Sequence, residues 1–128
     1  MNKDGDRTEV EINKIPKDFT IADIGSQTIS YYSKVLEDAR LSVFHGPTGI
    51  FEMDNFRLGT VELLKAAIKS TYSIAGGGHT LEVIDQLGLG AKFSHLSMGG
   101  GASITYLSGE PLPGIEALKK AAARTRKI

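Results

Sequence analysis

Residues 73–85 read SIAGGGHTLEVID, and the periodicity changes in the middle of that run. Its opening, preceded by Thr71 and Tyr72, is rich in residues that favour strands. Its second half places Leu81 and Ile84, with Leu87 beyond, at helical spacing. Gly76, Gly77 and Gly78 stand where the period switches. A strand passing through a glycine turn into a helix is the repeating unit of a parallel α/β sheet. Two further glycine-marked turns lie nearby: Gly46-Pro47-Thr48-Gly49 upstream, and Gly99-Gly100-Gly101 downstream.

Working outward, the spacing of Ile29, Tyr32, Val35, Leu36 and Ala39 predicts a helix over residues 26–39, with Ser26 as its N-cap. Residues 41–44 read as a strand. A helix follows from about residue 54 to 70, burying Phe56, Leu63, Leu64, Ala67 and Ile68. After the strand at 71–75, the next helix is stopped by Gly88 and Gly90. Residues 93–98 form another strand. Residues 102–107 suit either a strand or a short helix, ended by Pro111 and Pro113. A last helix runs from 115 to about 127, with Ile115, Leu118 and Ala122 on one face. Near the start, residues 8–12 alternate weakly, as an edge strand would, and Pro16 breaks the run. Residues 19–22 form a second weak strand. This order predicts a three-layer open parallel sheet with helices on both faces. No repeat or linker interrupts it, so residues 1–128 read as one domain.

Composition narrows the function. The 128 residues carry a formal net charge of +0, with 41% hydrophobic and 23% charged residues. A duplex-binding protein carries a basic excess, so nucleic acid is not the expected partner. The cations Lys119, Lys120, Arg124, Arg126 and Lys127 read as the solvated end of a helix. With no cysteine, disulfides and thiolate metal sites are excluded. The amino-terminal residues lack an apolar signal core, and no run is long enough to span a bilayer. The expectation is a soluble cytoplasmic chain with no membrane partner.

Parallel strands all point their C-terminal ends toward one edge, where open α/β sheets bind ligands. A helix N-terminus offers unpaired N–H groups and partial positive charge, and glycine lets an anion approach them. All three turns are therefore expected to form one anion-binding edge. No GxxxxGK[ST] sequence is present, so this is not a Walker-type loop.

The individual motifs are specific. Residues 44–52, FHGPTGIFE, resemble the NGPxGxFE signature of phosphoglycerate kinases. Residues 74–80, IAGGGHT, are similar to that family's GGGDT segment, with the GGGH variant common in its archaeal branches. Residues 94–103, SHLSMGGGAS, resemble its SHxSTGGGAS segment. Residues 107–114, LSGEPLPG, match LxGxxLPG, and Asp23-Ile24-Gly25 with Thr28-Ile29 is similar to DIGPxTI. The likeness runs in order from about residue 18 to 118.

The resemblance implies a partial Rossmann-like nucleotide domain, without the family's N-terminal substrate domain. It implies phosphoryl transfer between 1,3-bisphosphoglycerate and ADP, assisted by Mg2+. In this reading the chain supplies the ADP/ATP-binding part. 3-Phosphoglycerate or 1,3-bisphosphoglycerate would bind only with the missing domain. Glu52 corresponds to the family glutamate that accepts hydrogen bonds from the ribose. Gly46, Pro47, Gly49, Ile50 and Phe51 correspond to the wall beside the nucleoside, with Phe51 equally suited to the core. His45 replaces an asparagine near the nucleotide phosphates. Gly76, Gly77 and Gly78 correspond to the loop facing the transferred phosphoryl group, and Gly99, Gly100 and Gly101 to a second set of donors at the reaction centre. Thr80 corresponds to a phosphate-bonding threonine and also suits a helix cap. His79 stands where many relatives have aspartate. Magnesium prefers oxygen, so no metal ligand is assigned, and the ion would be held mainly by the phosphates. His95, on a strand and alternating with Leu96, reads as a buried structural histidine rather than a catalytic one. The alternative is an inactive truncated nucleotide- or phosphate-binding or interaction module.

Overall fold

The computed structural model describes residues 1, 2 and 4–125. Along the chain lie helix α1 (Ser26–Glu37), strand β1 (Leu41–His45), α2 (Leu58–Ala67), β2 (Tyr72–Gly76), α3 (Gly78–Gln86), β3 (His95–Ser97), α4 (Gly100–Leu107) and α5 (Pro113–Thr125). Among the described residues the strands make one sheet in the order β1-β2-β3, parallel throughout. The predicted α/β sheet is therefore present.

Strand alternation decides where the core lies. Ser42 and Phe44 point inward from β1, while Leu41, Val43 and His45 point outward. Their β2 partners in register are Ser73 and Ala75 on the inner face, and Tyr72, Ile74 and Gly76 on the outer. Against the inner face pack Leu63, Leu64 and Ala67 of α2 and Val83 and Ile84 of α3, together with Phe51, Leu89 and Phe93. Helix α1 lies over α2. The inner face also buries hydroxyls in satisfied pairs: Ser42 Oγ meets Ser70 Oγ at 2.7 Å, and Ser70 Oγ donates to the Ala67 carbonyl. Burying polar atoms is tolerated because each has a partner.

The outer face is covered unevenly. Helix α4 lies beside it, leaving a groove of about 360 Å3 lined by Ile74, His95, Tyr106, Leu107 and Leu112. Leu41 and Tyr72 remain about half exposed. The two helical layers expected from sequence are thus unequal.

Several local expectations are corrected. Residues 8–12 and 19–22 are not strands. The polar first segment instead sends Glu9 to the start of α1, where its Oε2 accepts from the Ser26 N–H at 2.9 Å and the Ser26 hydroxyl at 2.7 Å. Ser26 is therefore the first helical residue rather than the N-cap, which is Gly25. The capping oxygen comes from a residue distant in sequence, beyond what local capping patterns reveal.

The helix expected from residue 54 begins as a 3-10 turn, Asp54–Phe56, and becomes α-helical only at Leu58. Strand β3 is shorter than expected because the residues before it pair through side chains. The Ser73 N–H donates to Ser94 Oγ at 3.0 Å, and the Ser94 N–H donates to Ser73 Oγ at 3.2 Å. The ambiguous 102–107 segment is helical, within α4.

Gly88 does end α3. Its φ of +63° is left-handed, and the Leu89 N–H folds back onto the Ile84 carbonyl at 3.0 Å. Helix α5 carries Ile115 about half exposed and Leu118 largely exposed, and the expected continuation to Arg126 and Lys127 lies outside the described residues.

Candidate functional site

Register brings the strand ends together. His45 pairs with Gly76 across β1 and β2, and Gly76 pairs with Ser97 across β2 and β3. The glycine turns that follow these residues consequently share one edge of the sheet. The second and third turns touch. A methyl group built on Gly100 would meet Gly77 Cα at 2.9 Å and His45 Nε2 at 2.9 Å. One built on Gly77 would meet His45 Nε2 at 3.1 Å. The His45 imidazole thus stands against both glycine loops. Gly77 also has φ +93°, a conformation side chains rarely adopt.

Helix α3 starts at Gly78 directly after this turn, and α4 starts at Gly100 directly after Gly99. Both are capped by a glycine with no side-chain oxygen on the first amides. Such ends keep their first N–H groups free of intrahelical partners. A methyl group on Gly78 or Gly101 would meet nothing within 4 Å, so the approach to these two positions is open.

The first turn behaves differently and corrects the expectation that all three turns offer their amides along one anion-binding edge. The Gly46 N–H donates to Thr80 Oγ1 at 2.8 Å, the Thr48 N–H to Thr60 Oγ1 at 3.0 Å, and the Ile50 N–H to the Ala22 carbonyl at 2.9 Å. Pro47 has no N–H at all. These amides face the protein, and no helix starts at the turn. The N–H groups of Gly46, Thr48 and Ile50 are therefore already taken up within the protein.

The other candidate residues divide by exposure. Phe51 is 5% exposed within the core, its ring 5.8 Å from that of His79. Thr80 is wholly buried, with its oxygen accepting from Gly46. Glu52, His79 and Gly78 are exposed, while Gly49, Ile50 and Pro47 are half-buried. Glu52 makes no hydrogen bond or ion pair among the described residues. Ser97 and Ser103 join their hydroxyls across the start of α4, and Ser103 Oγ also donates to the Gly99 carbonyl at 3.1 Å. This ties β3 to α4 around the last glycine turn. His95, expected to be buried, is instead exposed on the open face of the sheet, in the groove beside α4.

Sequence reading missed the residues that fix the first turn: Asp23, Thr48 and Thr60. Asp23 Oδ2 accepts from the Gly59 N–H at 2.9 Å, near the start of α2, and Oδ1 accepts from the Thr48 hydroxyl at 3.3 Å. The available signal was the position of Asp23 within a family-like motif, but nothing local in the sequence named its partners.

The class of protein is therefore a parallel α/β fold whose second and third strands end in helix-initiating glycine turns along one edge. A family model described as phosphoglycerate kinase matches residues 1–110, and the chain belongs to the phosphoglycerate kinase family. It is similar to phosphoglycerate kinase 1 of Methanosarcina acetivorans, 70% identical over 127 residues, covering 99% of this chain and 31% of that protein. The phosphoglycerate kinase of Methanocorpusculum labreanum is 49% identical over 90% of the chain and 28% of its own length. Among solved structures, that of phosphoglycerate kinase from Coxiella burnetii superposes with a TM-score of 0.80 at 38% identity, covering 91% of this chain and 30% of that one. The chain thus spans about a third of the length of the relatives it matches. Among the described residues, no helix is long and apolar enough to cross a membrane.

Proposed function

We propose that residues 1–128 form the C-terminal portion of a nucleotide-binding domain, gripping ADP or ATP for phosphoglycerate kinase chemistry. The observation that carries this reading is the contact between the two glycine loops, Gly77 against Gly100, with helices α3 and α4 starting from them. Two helix N-termini brought together suit a polyphosphate, whose charge spreads over several oxygens.

Gly76–Gly78 and Gly99–Gly101 supply the amides for the phosphate tail. His45 and His79 lie beside it as hydrogen-bond donors. The loop of Gly46, Pro47, Gly49 and Ile50 forms the nucleoside wall, with Phe51 backing it from the core. Glu52 receives the ribose hydroxyls. Thr80 serves by holding Gly46, through the bond already made. The glycine edge itself contributes no carboxylate, and among the described residues no group of acidic or histidine side chains could hold a metal. The residues present therefore fit a nucleotide that brings Mg2+ on its own phosphates.

In the full reaction a β-phosphate oxygen of ADP attacks the acyl phosphorus of 1,3-bisphosphoglycerate, and the carboxylate of 3-phosphoglycerate departs. Fixed amides placed where charge spreads on the migrating group would favour that transfer. The phosphoglycerate would be held by residues outside this chain, and the reaction belongs to the cytoplasm.

Calorimetric titration with MgADP tests the reading. The parent chain is expected to saturate, and Glu52→Ala to bind about tenfold more weakly through lost hydrogen bonds. A parent that does not saturate overturns nucleotide binding. Equal affinity in the variant overturns the ribose assignment. In a coupled assay the chain by itself is expected to show no turnover; turnover would overturn the division of labour proposed here.

A further inference from the structure

The first glycine turn uses its amides internally, and the groups that take them form a connected clamp. Asp23 is its hub. Its Oδ2 accepts from Gly59 N–H, its Oδ1 from the Ile24 N–H at 2.9 Å and from the Thr48 hydroxyl. The Thr48 hydroxyl also meets Thr60 Oγ1 at 3.3 Å, and Thr60 is completely buried. The neighbouring Ala22 carbonyl accepts from Ile50 N–H. One short segment, residues 22–23, therefore holds both the turn and the N-terminus of α2.

Packing around the carboxylate is tight enough to exclude any side chain. A methyl group on Gly59 would lie 2.4 Å from Asp23 Oδ1, and one on Gly49 would lie 2.6 Å from the same oxygen. The clamp passes its position along the chain. After Ile50, Phe51 is anchored in the core, and the Met53 N–H returns to the Ile50 carbonyl at 3.0 Å. Glu52 is exposed between these two fixed points.

We infer that Asp23 is a positioning residue for the nucleoside end of the ligand: it holds the wall and Glu52 in place without touching the phosphate tail. This rests on the nucleotide reading above. A carboxylate suits the task because it only accepts, and three donors converge on it beside the positive end of a helix. An asparagine would turn an N–H2 group toward one of those donors.

Asp23→Asn tests this in the 128-residue chain, with MgADP and inorganic tripolyphosphate as separate probes. The expected result is about a tenfold loss of ADP affinity, with tripolyphosphate affinity unchanged. Equal loss of both, or loss of neither, overturns the assignment. Amide hydrogen exchange in the unliganded chain gives a second readout. Thr48 and Gly59 should exchange faster in the variant, with no change across Thr105 and Tyr106 of α4; unchanged exchange at Thr48 and Gly59 overturns the clamp. Thr48→Val breaks only the hydroxyl arm and serves if Asp23→Asn does not fold, with a smaller selective loss of ADP affinity expected. A parent that binds neither probe defeats the nucleotide reading, while the exchange data still decide whether Asp23 holds the turn.

Discussion

Gly77 and Gly100 are in backbone contact: a methyl group added to Gly100 would stand 2.9 Å from the Cα of Gly77. Two turns that follow different strands are thereby brought to one place. Because the obstacle is main chain, a side chain at 100 cannot be accommodated by a rotamer change. The helix it begins must move instead, and the spacing between the two amide clusters must change with it.

Gly100→Ala is therefore expected to weaken MgADP binding at least as much as it weakens the fold. Overpacking of this kind costs about 1–3 kcal/mol, and the open flank of α4 allows part of it to relax. Gly114→Ala is the control, since it lies outside the glycine edge and its added methyl group meets nothing within 4 Å. Paired titrations and urea melts would check this. Equal ADP affinity in the two variants would contradict the convergence argument.

A sharper stability cost is expected at Gly49. Its added methyl group would lie 2.4 Å from the Phe56 carbonyl oxygen and 2.7 Å from that of Ala22. Neither atom is free to swing away. Gly49→Ala should destabilise by about 3 kcal/mol or more. Gly114→Ala, near the start of α5 with nothing within 4 Å, should be neutral or stabilising by up to about 1 kcal/mol. Urea denaturation followed by circular dichroism separates the two.

Those two glycines show what was legible in the sequence and what was not. The strand–glycine–helix units could be read because each depends on a short run of residues, as in 73–85. Parallel order then followed from chain topology, and the common edge followed from parallel order. The use of each amide could not be read. Gly46 and Gly78 both follow strands, yet one N–H is taken by Thr80 from a different element while the other begins a helix. The carboxylate of Glu9 likewise caps a helix from a segment whose alternation resembled a strand. Long-range partners of side-chain oxygens leave no periodic trace.

Core burial gives a simpler expectation. Leu64 is 0% exposed and packs between α2 and the sheet, whereas Leu118 on α5 is 72% exposed. Leu64→Ala should cost about 2–5 kcal/mol, a large share of the ~5–15 kcal/mol typical of a folded protein. Leu118→Ala should stay within about 0.5 kcal/mol. Similar losses at both positions, measured by chemical denaturation, would show that the helix bearing Leu118 is packed in solution.

Stability toward acid should depend on Glu9. The Ser26 backbone N–H, then the Ser26 hydroxyl, hold its carboxylate below the ordinary carboxylate range, with Arg7 at 2.7 Å adding to the effect. The folded value lies below the unfolded one, so folding is favoured whenever the group is ionised in both states. That contribution is complete above the unfolded pKa and disappears as pH falls through the lowered folded pKa. Glu9 is 44% exposed at its side chain, so solvent screening keeps the effect below about 1 kcal/mol. Glu9→Gln should lower the urea midpoint at pH 7, and the gap to the parent should close as pH falls through the ordinary carboxylate range and then through the lowered folded pKa. A gap that persists unchanged at the acid end would mean that the glutamine loses packing at the start of α1 rather than an ionised cap.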